Sequence, residues 1–230
     1  MPTQISWQEY RRLKPRDLLS PRYRHLLLLL FWPLELLLFE LTERIAPTYR
    51  PIFCALDQQL PLCGAFVLPY LLWFLTWTGT LLYLLLRDVP CFRRTMWYMI
   101  GTILPCLCIF ALWPSQFPLR PQAAPAGKLW TLPLDLIYRL DRNTDTFPSL
   151  HVVVALGSVF AVWHARGISR PVAAALTVHG LLICASVALI KQHSVLDIAG
   201  ALAVAVPGYL LCFLPRRFPL WAGEAADPGS

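Results

Sequence analysis

The stretch TDTFPSLHVVVALGSVFAVWH, Thr144 to His164, sets the terms of the fold. After His151 it is apolar for more than ten residues, yet it opens on Ser149 and His151. Pro148 stops any helix arriving from before it, and Ser149 is a good N-cap. The run therefore reads as an apolar helix with His151 in its first turn. Nothing in a membrane helix requires an imidazole there, so that residue calls for a chemical reason.

Five further apolar blocks surround this one. The six lie at 26–41, 61–86, 95–113, 150–165, 172–190 and 195–214. A membrane span needs about 20 residues at a rise of about 1.5 Å each. The second, third, fifth and sixth meet that length. The first is short and holds Glu35 and Glu40, and the fourth is short unless its helix begins at Ser149. Hydrophobic residues make up 57% of the 230-residue chain and charged residues 14%. A soluble domain carries about a quarter charged residues. Lipid leaves only helices or closed barrels to satisfy the backbone, and the alternating pattern of a barrel strand is absent. The expected fold is all-α, a polytopic membrane bundle of about six transmembrane helices. Residues 1–25 form a basic cytoplasmic segment, 26–215 a single membrane domain, and 216–230 a disordered cytoplasmic tail. The first 25 residues are polar, so no signal peptide is expected there.

Net charge is +7. The basic residues sit between apolar blocks, which is the orientation signal of a membrane protein rather than a nucleic-acid surface. With the N-terminus inside, the inner segments hold thirteen Lys and Arg and the outer segments seven. Both termini are then cytoplasmic, and His151 and His193 share the outer side. The compact chain suggests a bacterial plasma membrane. The seven cysteines form no CxxC pair and read as small hydrophobes. No nucleic-acid partner is expected, and the oligomeric state is left open. The tryptophans, Trp73 among them, read as interfacial belt or packing.

The second histidine stands in KQHSVLD, Lys191 to Asp197. His193 and Asp197 are four apart, so on a helix they share a face. A carboxylate there can hold one ring nitrogen and aim the other at a substrate, as in nucleophilic or base catalysis. The same spacing could ligate a metal, the lesser reading. Lys191 adds a cation. At FPSLH, the helix N-terminus offers free N–H groups to a phosphate, Ser149 a hydroxyl and His151 a proton for a leaving oxygen. Arg120 in PSQFPLRP supplies a fork for phosphate oxygens. Together these parts suit phosphoryl transfer.

The same residues resemble the type 2 phosphatidic acid phosphatase superfamily of membrane lipid phosphatases and phosphotransferases. The phosphatase motif PSGH appears as Pro148 to His151. The motif Ser-Arg, five residues, His, three residues, Asp appears as Ser186, His193 and Asp197. FPSLH is closest to the inositol phosphorylceramide synthase-like branch. The resemblance spans about residues 114–200 and implies a six-helix fold without metal or cofactor. It implies that His193 is a nucleophile forming a phosphohistidine, that Asp197 orients it, and that His151 protonates the leaving group. Arg120, Ser149 and Lys191 are the expected phosphate-binding residues. The expected substrate is a lipid phosphate or phospholipid head group, with water or an alcohol as acceptor. Two family cations are missing, since Trp113 and Val187 stand in their places. The alternative is a non-catalytic transporter or scaffold with a degenerate site.

Overall fold

The computed structural model describes residues 4–215. Arg216, Arg217, Trp221 and the expected tail lie outside the described residues. The chain runs α1 (Trp7–Tyr10), a 3-10 turn at Pro15–Leu19 and another at Arg24–Leu30, then α2 (Phe31–Ile45), β1 (Arg50–Pro51), α3 (Ala55–Gln59) and a 3-10 turn at Gly64–Phe66. It continues as α4 (Val67–Arg87), α5 (Val89–Leu112), β2 (Ser115–Gln116), α6 (Thr131–Leu140), α7 (Leu150–His164), α8 (Arg170–Leu189) and α9 (Val195–Cys212). This is an all-α membrane bundle. Five helical stretches are long and apolar enough to cross a membrane: Arg24–Ile45, Gly64–Arg87, Val89–Leu112, Arg170–Leu189 and Val195–Cys212.

The sixth apolar helix, α7, has 15 residues. At about 1.5 Å per residue it is roughly 22 Å long, short of the roughly 30 Å hydrocarbon layer. It is nonetheless the centre of the bundle and packs against α4, α5, α8 and α9. Val152, Val153, Ala155, Ala161 and Val162 are all buried. A helix apolar on every side belongs inside, and small residues let its neighbours approach. Gly157 faces Tyr98 and Met99 of α5 so closely that a methyl group would overlap both side chains.

One end of the bundle collects both chain ends. Tyr10 Oη donates to the Leu85 carbonyl at 3.0 Å, and Arg94 Nη1 donates to the Phe213 carbonyl at 3.0 Å. The Arg166 N–H after α7 donates to Asp88 Oδ2 at 2.7 Å. Asp88 also caps α5, accepting from the Cys91 N–H at 3.1 Å. That cap starts α5 at Val89, six residues before the expected block at 95, and places Arg93 and Arg94 inside the helix rather than in a loop.

Because the C-terminal end of α7 is level with the α4–α5 corner, its missing length falls at the other end. There His151 meets Tyr70 and Trp73, which lie in the first two turns of α4. The first turn of α7 is therefore recessed below the start of α4. Around it lie the loops. β1 and β2 pair in parallel, Arg50 opposite Ser115, and tie the loop after α2 to the loop after α5. That long proline-rich loop also folds α6, which exposes Leu132, Leu136 and Leu140.

Candidate active site

The turn from α8 to α9 is held from several sides. The N–H groups of Gln192 and His193 both donate to the Val187 carbonyl at 2.9 Å. Tyr138 Oη donates to the Ile190 carbonyl at 2.7 Å. Ser194 and Asp197 form a capping box at the start of α9: Ser194 Oγ accepts from the Leu196 N–H at 3.0 Å, and Asp197 Oδ2 accepts from the Ser194 N–H at 3.0 Å. The box fixes Asp197 Oδ2 at 3.2 Å from His193 Nδ1. The Thr146 carbonyl lies 3.0 Å from the same nitrogen. A carboxylate and a carbonyl are both acceptors, so Nδ1 carries the proton and Nε2 presents a lone pair.

His193 Nε2 faces His151 Nδ1 at 3.4 Å. On its far side, His151 Nε2 is 2.8 Å from Tyr70 Oη, and Tyr70 donates to Asp141 Oδ2 at 2.8 Å. The phenol gives its one proton to the carboxylate, so His151 Nε2–H donates to the phenol oxygen. A protonated His151 would be supported through Tyr70 by the Asp141 charge. The His151 ring also lies between Tyr70 and Trp73, with centroids 4.9 Å and 5.0 Å away. Trp73 is thus part of the site's wall and not only belt.

Both histidines line a cavity of about 60 Å³, with Asp141, Asp145, Thr146 and Gln192. An apolar groove of about 410 Å³ adjoins it. The groove runs between α2, α4 and α6 along Leu36, Phe39, Leu71, Phe74 and Leu136, and ends on His151 and Asp141. Glu35 stands in the same groove wall.

Three expected phosphate ligands meet different fates. Ser149 is the residue before α7, but its hydroxyl makes no capping bond and is buried without a partner. Its N–H donates to the Asp197 carbonyl at 3.1 Å, which joins the start of α7 to the start of α9. Arg120 Nη2 donates to the Asp141 carbonyl at 2.8 Å, its guanidinium lies 4.5 Å from the Tyr138 ring centroid, and Nη1 is buried without a partner. Ser149 and Arg120 border the site and each keeps an unused donor. Lys191 is engaged elsewhere. Its ammonium donates to the carbonyls of Asp57 and Leu60, both at 2.7 Å. It does not line the cavity, because it fastens α3 to the α8–α9 turn, where its own backbone has φ +58°. At the two missing cation positions, Val187 supplies the carbonyl that shapes the turn, and Arg50 lies over the Trp113 ring at 5.3 Å.

Asp57 is the deepest support of this turn. Fully buried, it accepts from Ser194 Oγ at 2.6 Å, the Val195 N–H at 2.8 Å and the Cys54 N–H at 2.8 Å. Burial works to raise its carboxyl, but these hydrogen bonds outweigh it and hold the group below the usual carboxylate range. A depressed acid contributes stability above its unfolded pKa of about 3.9 and loses it in stronger acid, so the contribution is complete at neutral pH. Each bond to a charged acceptor is worth about 1.5–3 kcal/mol. Asp57→Ala is expected to lower the melting temperature in detergent at pH 7 and to loosen the His193 turn. Amide exchange at residues 190–196 is the local readout. An unchanged melt and unchanged exchange would refute this role.

Tyr70, Asp141, Thr146 and Asp57 were not among the expected site residues. Tyr70 is one aromatic among many in an apolar helix, Asp57 lies in the short helix α3, and Asp141 and Thr146 are loop residues; the partners of all four are distant in sequence. Only Asp57, a charge in LDQQLPLCG beside the second block, gave any local signal.

The geometry can be set beside known families. A family model described as the PAP2 superfamily matches residues 51–211, well over half of the chain. The match takes in α4, α5 and α7 to α9 and both histidines. No curated protein and no solved structure matches the chain.

Proposed function

The chain belongs to the PAP2 superfamily and is a phosphatase-type membrane enzyme, and from that premise we propose that it cleaves a phosphoester of a lipid through a phosphohistidine at His193. The single observation that carries this reading is the pair of histidines in one cavity. His193 has its Nδ1 held by Asp197 and its Nε2 turned to His151 Nδ1 at 3.4 Å. In the first step the Nε2 lone pair attacks phosphorus. The bond from phosphorus to the leaving oxygen breaks, and protonated His151 gives that oxygen its Nδ1 proton. In the second step neutral His151 takes a proton from water or an alcohol, whose oxygen attacks phosphorus. The P–N bond breaks and returns its electron pair to His193. Asp197 stabilises the positive charge that His193 gains. The unused donors of Arg120 and Ser149 are assigned to phosphate oxygens.

The apolar groove that ends on His151 supports a lipid as substrate, since it offers acyl chains a dry surface beside the reacting atoms. With the bundle oriented by its basic residues, the head group is handled at the outer leaflet and both termini are cytoplasmic. Water as acceptor makes the reaction a hydrolysis. An alcohol makes it the transfer expected of the inositol phosphorylceramide synthase-like branch.

Purified full-length chain in detergent is to be offered phosphatidic acid and a head-group-labelled phospholipid, with and without an added alcohol. Release of phosphate, or appearance of label on the alcohol, supports the proposal and names the acceptor. Loss of neither substrate would count against it. Tyr70→Phe keeps the ring against His151 but removes the link to Asp141. A hydrogen bond to a carboxylate is worth about 1.5–3 kcal/mol, so kcat is expected to fall roughly ten- to a hundredfold with KM little changed, and the acidic limb of the pH–rate profile to move. A profile superimposable on wild type would dismiss the relay.

A further inference from the structure

Asp145 lines the cavity that holds both histidines. It is 3% exposed, and neither carboxylate oxygen has a hydrogen-bond partner. The Thr42 hydroxyl, which bears on this carboxylate, already donates to the Phe39 carbonyl at 2.7 Å. The backbone is held in place by the Asp145 N–H, which donates to the Ser115 carbonyl at 2.7 Å, and the residue sits at φ +51°. The neighbouring acids are already engaged. Asp141 accepts from Tyr70 and Gln192. Glu43 accepts from Thr144 Oγ1 and pairs with Arg142. The arginine of this segment, Arg142, is thus bonded to Glu43, whose charge also bears on Asp145. A buried carboxylate without a partner is costly, and such a group calls for a ligand that completes it.

We propose that Asp145 binds the positively charged end of the substrate head group, so that the lipid cleaved here carries an alkylammonium beside its phosphate. This rests on the phosphoester reading above and narrows its substrate class. The phosphate is met by His193, His151 and the donors around them, and the ammonium by the one acid of the cavity with both oxygens unused. The adjoining apolar groove makes a lipid, rather than a free phosphoester, the source of the head group. Burial, with the Glu43 charge added, outweighs the lowering influence of the nearby Thr42 hydroxyl and Ser115 backbone, neither of which reaches hydrogen-bond geometry with the carboxylate, and pushes the Asp145 carboxyl up to about 6. Above that pH the group is an anion, and an alkylammonium with a pKa near 10 remains a cation. The titratable and charged groups around Asp145 are Glu43 of α2, Tyr49 after it, Asp141 and Arg142 on its own segment, His151 of α7 and His193. The two ligands of the test below share their phosphonate end, so their ratio cancels what the histidines contribute there, and Asp145→Asn separates Asp145 from Glu43 and the other neighbours of the ammonium end.

The test is a binding measurement that needs no turnover. Wild-type full chain in detergent is titrated calorimetrically with 2-aminoethylphosphonate and with 2-hydroxyethylphosphonate, whose C–P bonds a phosphohistidine mechanism does not cleave. At pH 7.5 the amino compound is expected to bind at least tenfold tighter. The ratio is expected to fall toward one at pH 5, and in Asp145→Asn at either pH. Equal affinities in wild type, or a ratio that Asp145→Asn leaves unchanged, overturns the proposal. The wild-type comparison stands even where the variant does not fold. Competition with 2-aminoethylphosphonate then tests the source: short-chain phosphatidylethanolamine is expected to displace it at a tenfold lower concentration than ethanolamine phosphate, and equal potency overturns the lipid source. The phosphoester reading fails differently, through binding of the amino compound without turnover of any ester.

Discussion

His193→Ala is expected to abolish turnover of every phosphoester substrate, by at least about 10⁴-fold, because it removes the atom proposed to bond phosphorus. The loss should be in kcat. The donors of Arg120 and Ser149 proposed to hold the phosphate are untouched, so a non-cleavable phosphonate should still bind. Asp197→Asn tests the same center from one step back. Asparagine keeps the size of the side chain, and its oxygen can stay where Oδ2 now receives His193 Nδ1–H and the Ser194 N–H. The Thr146 carbonyl also holds that proton on Nδ1, so the tautomer is kept and only the negative charge is lost. A loss of about 10²–10³-fold is expected, the usual worth of one electrostatic stabiliser. Unchanged turnover in His193→Ala, with a melt equal to wild type, would favour the non-catalytic alternative.

His151→Ala is expected to lower the rate by about 10²–10⁴-fold on an alkyl phosphoester, the usual worth of a general acid and base. The size of the loss should depend on the leaving group. An alkoxide leaves poorly without a proton, whereas p-nitrophenolate leaves without help. On p-nitrophenyl phosphate the first step should therefore recover, giving a burst of nitrophenolate and then a slow steady rate, because the second step still lacks its base. The phosphoenzyme should accumulate. An equal loss on both esters, with no burst, would mean that His151 supports the cavity rather than moving a proton. Its contacts allow that contrast to be drawn cleanly, since Tyr70, Trp73 and His193 surround the ring on several sides.

Hydropathy was enough to find the helices because lipid demands long apolar segments and each such segment is self-contained. Their ends depended on other forces. α5 starts at the Asp88 cap, where a carboxylate and the Arg166 N–H meet, and it carries Arg93 and Arg94 into the helix. α6 is ten residues long and lies in a proline-rich loop, so no span-length pattern announces it. In the site, the His193–Asp197 spacing is local to one helix turn and was legible. So was His151, through Pro148 and the apolar run that begins after it, although the Ser149 hydroxyl makes no capping bond. Lys191 was legible as a cation but not as a tether, because the carbonyls that take its protons belong to α3, more than a hundred residues earlier. Tyr70 and Asp141 reach His151 across 81 and 10 residues of sequence, through a corner that only the recessed start of α7 creates. Asp145 shows no signal in its own neighbourhood, since its meaning is the lack of a partner in the folded cavity.

The central claim is a covalent bond between His193 Nε2 and phosphorus, and the direct measurement is to trap it. Full-length chain is mixed with ³²P-labelled substrate, quenched in alkali within the first turnover, digested and mapped. The expected result is label that survives alkali, is released by mild acid, and resides on the peptide holding His193. It should be absent in His193→Ala and, with p-nitrophenyl phosphate as the labelled substrate, increased in His151→Ala. Label on another residue, or steady turnover with no labelled peptide at any time, would contradict the mechanism proposed for this site.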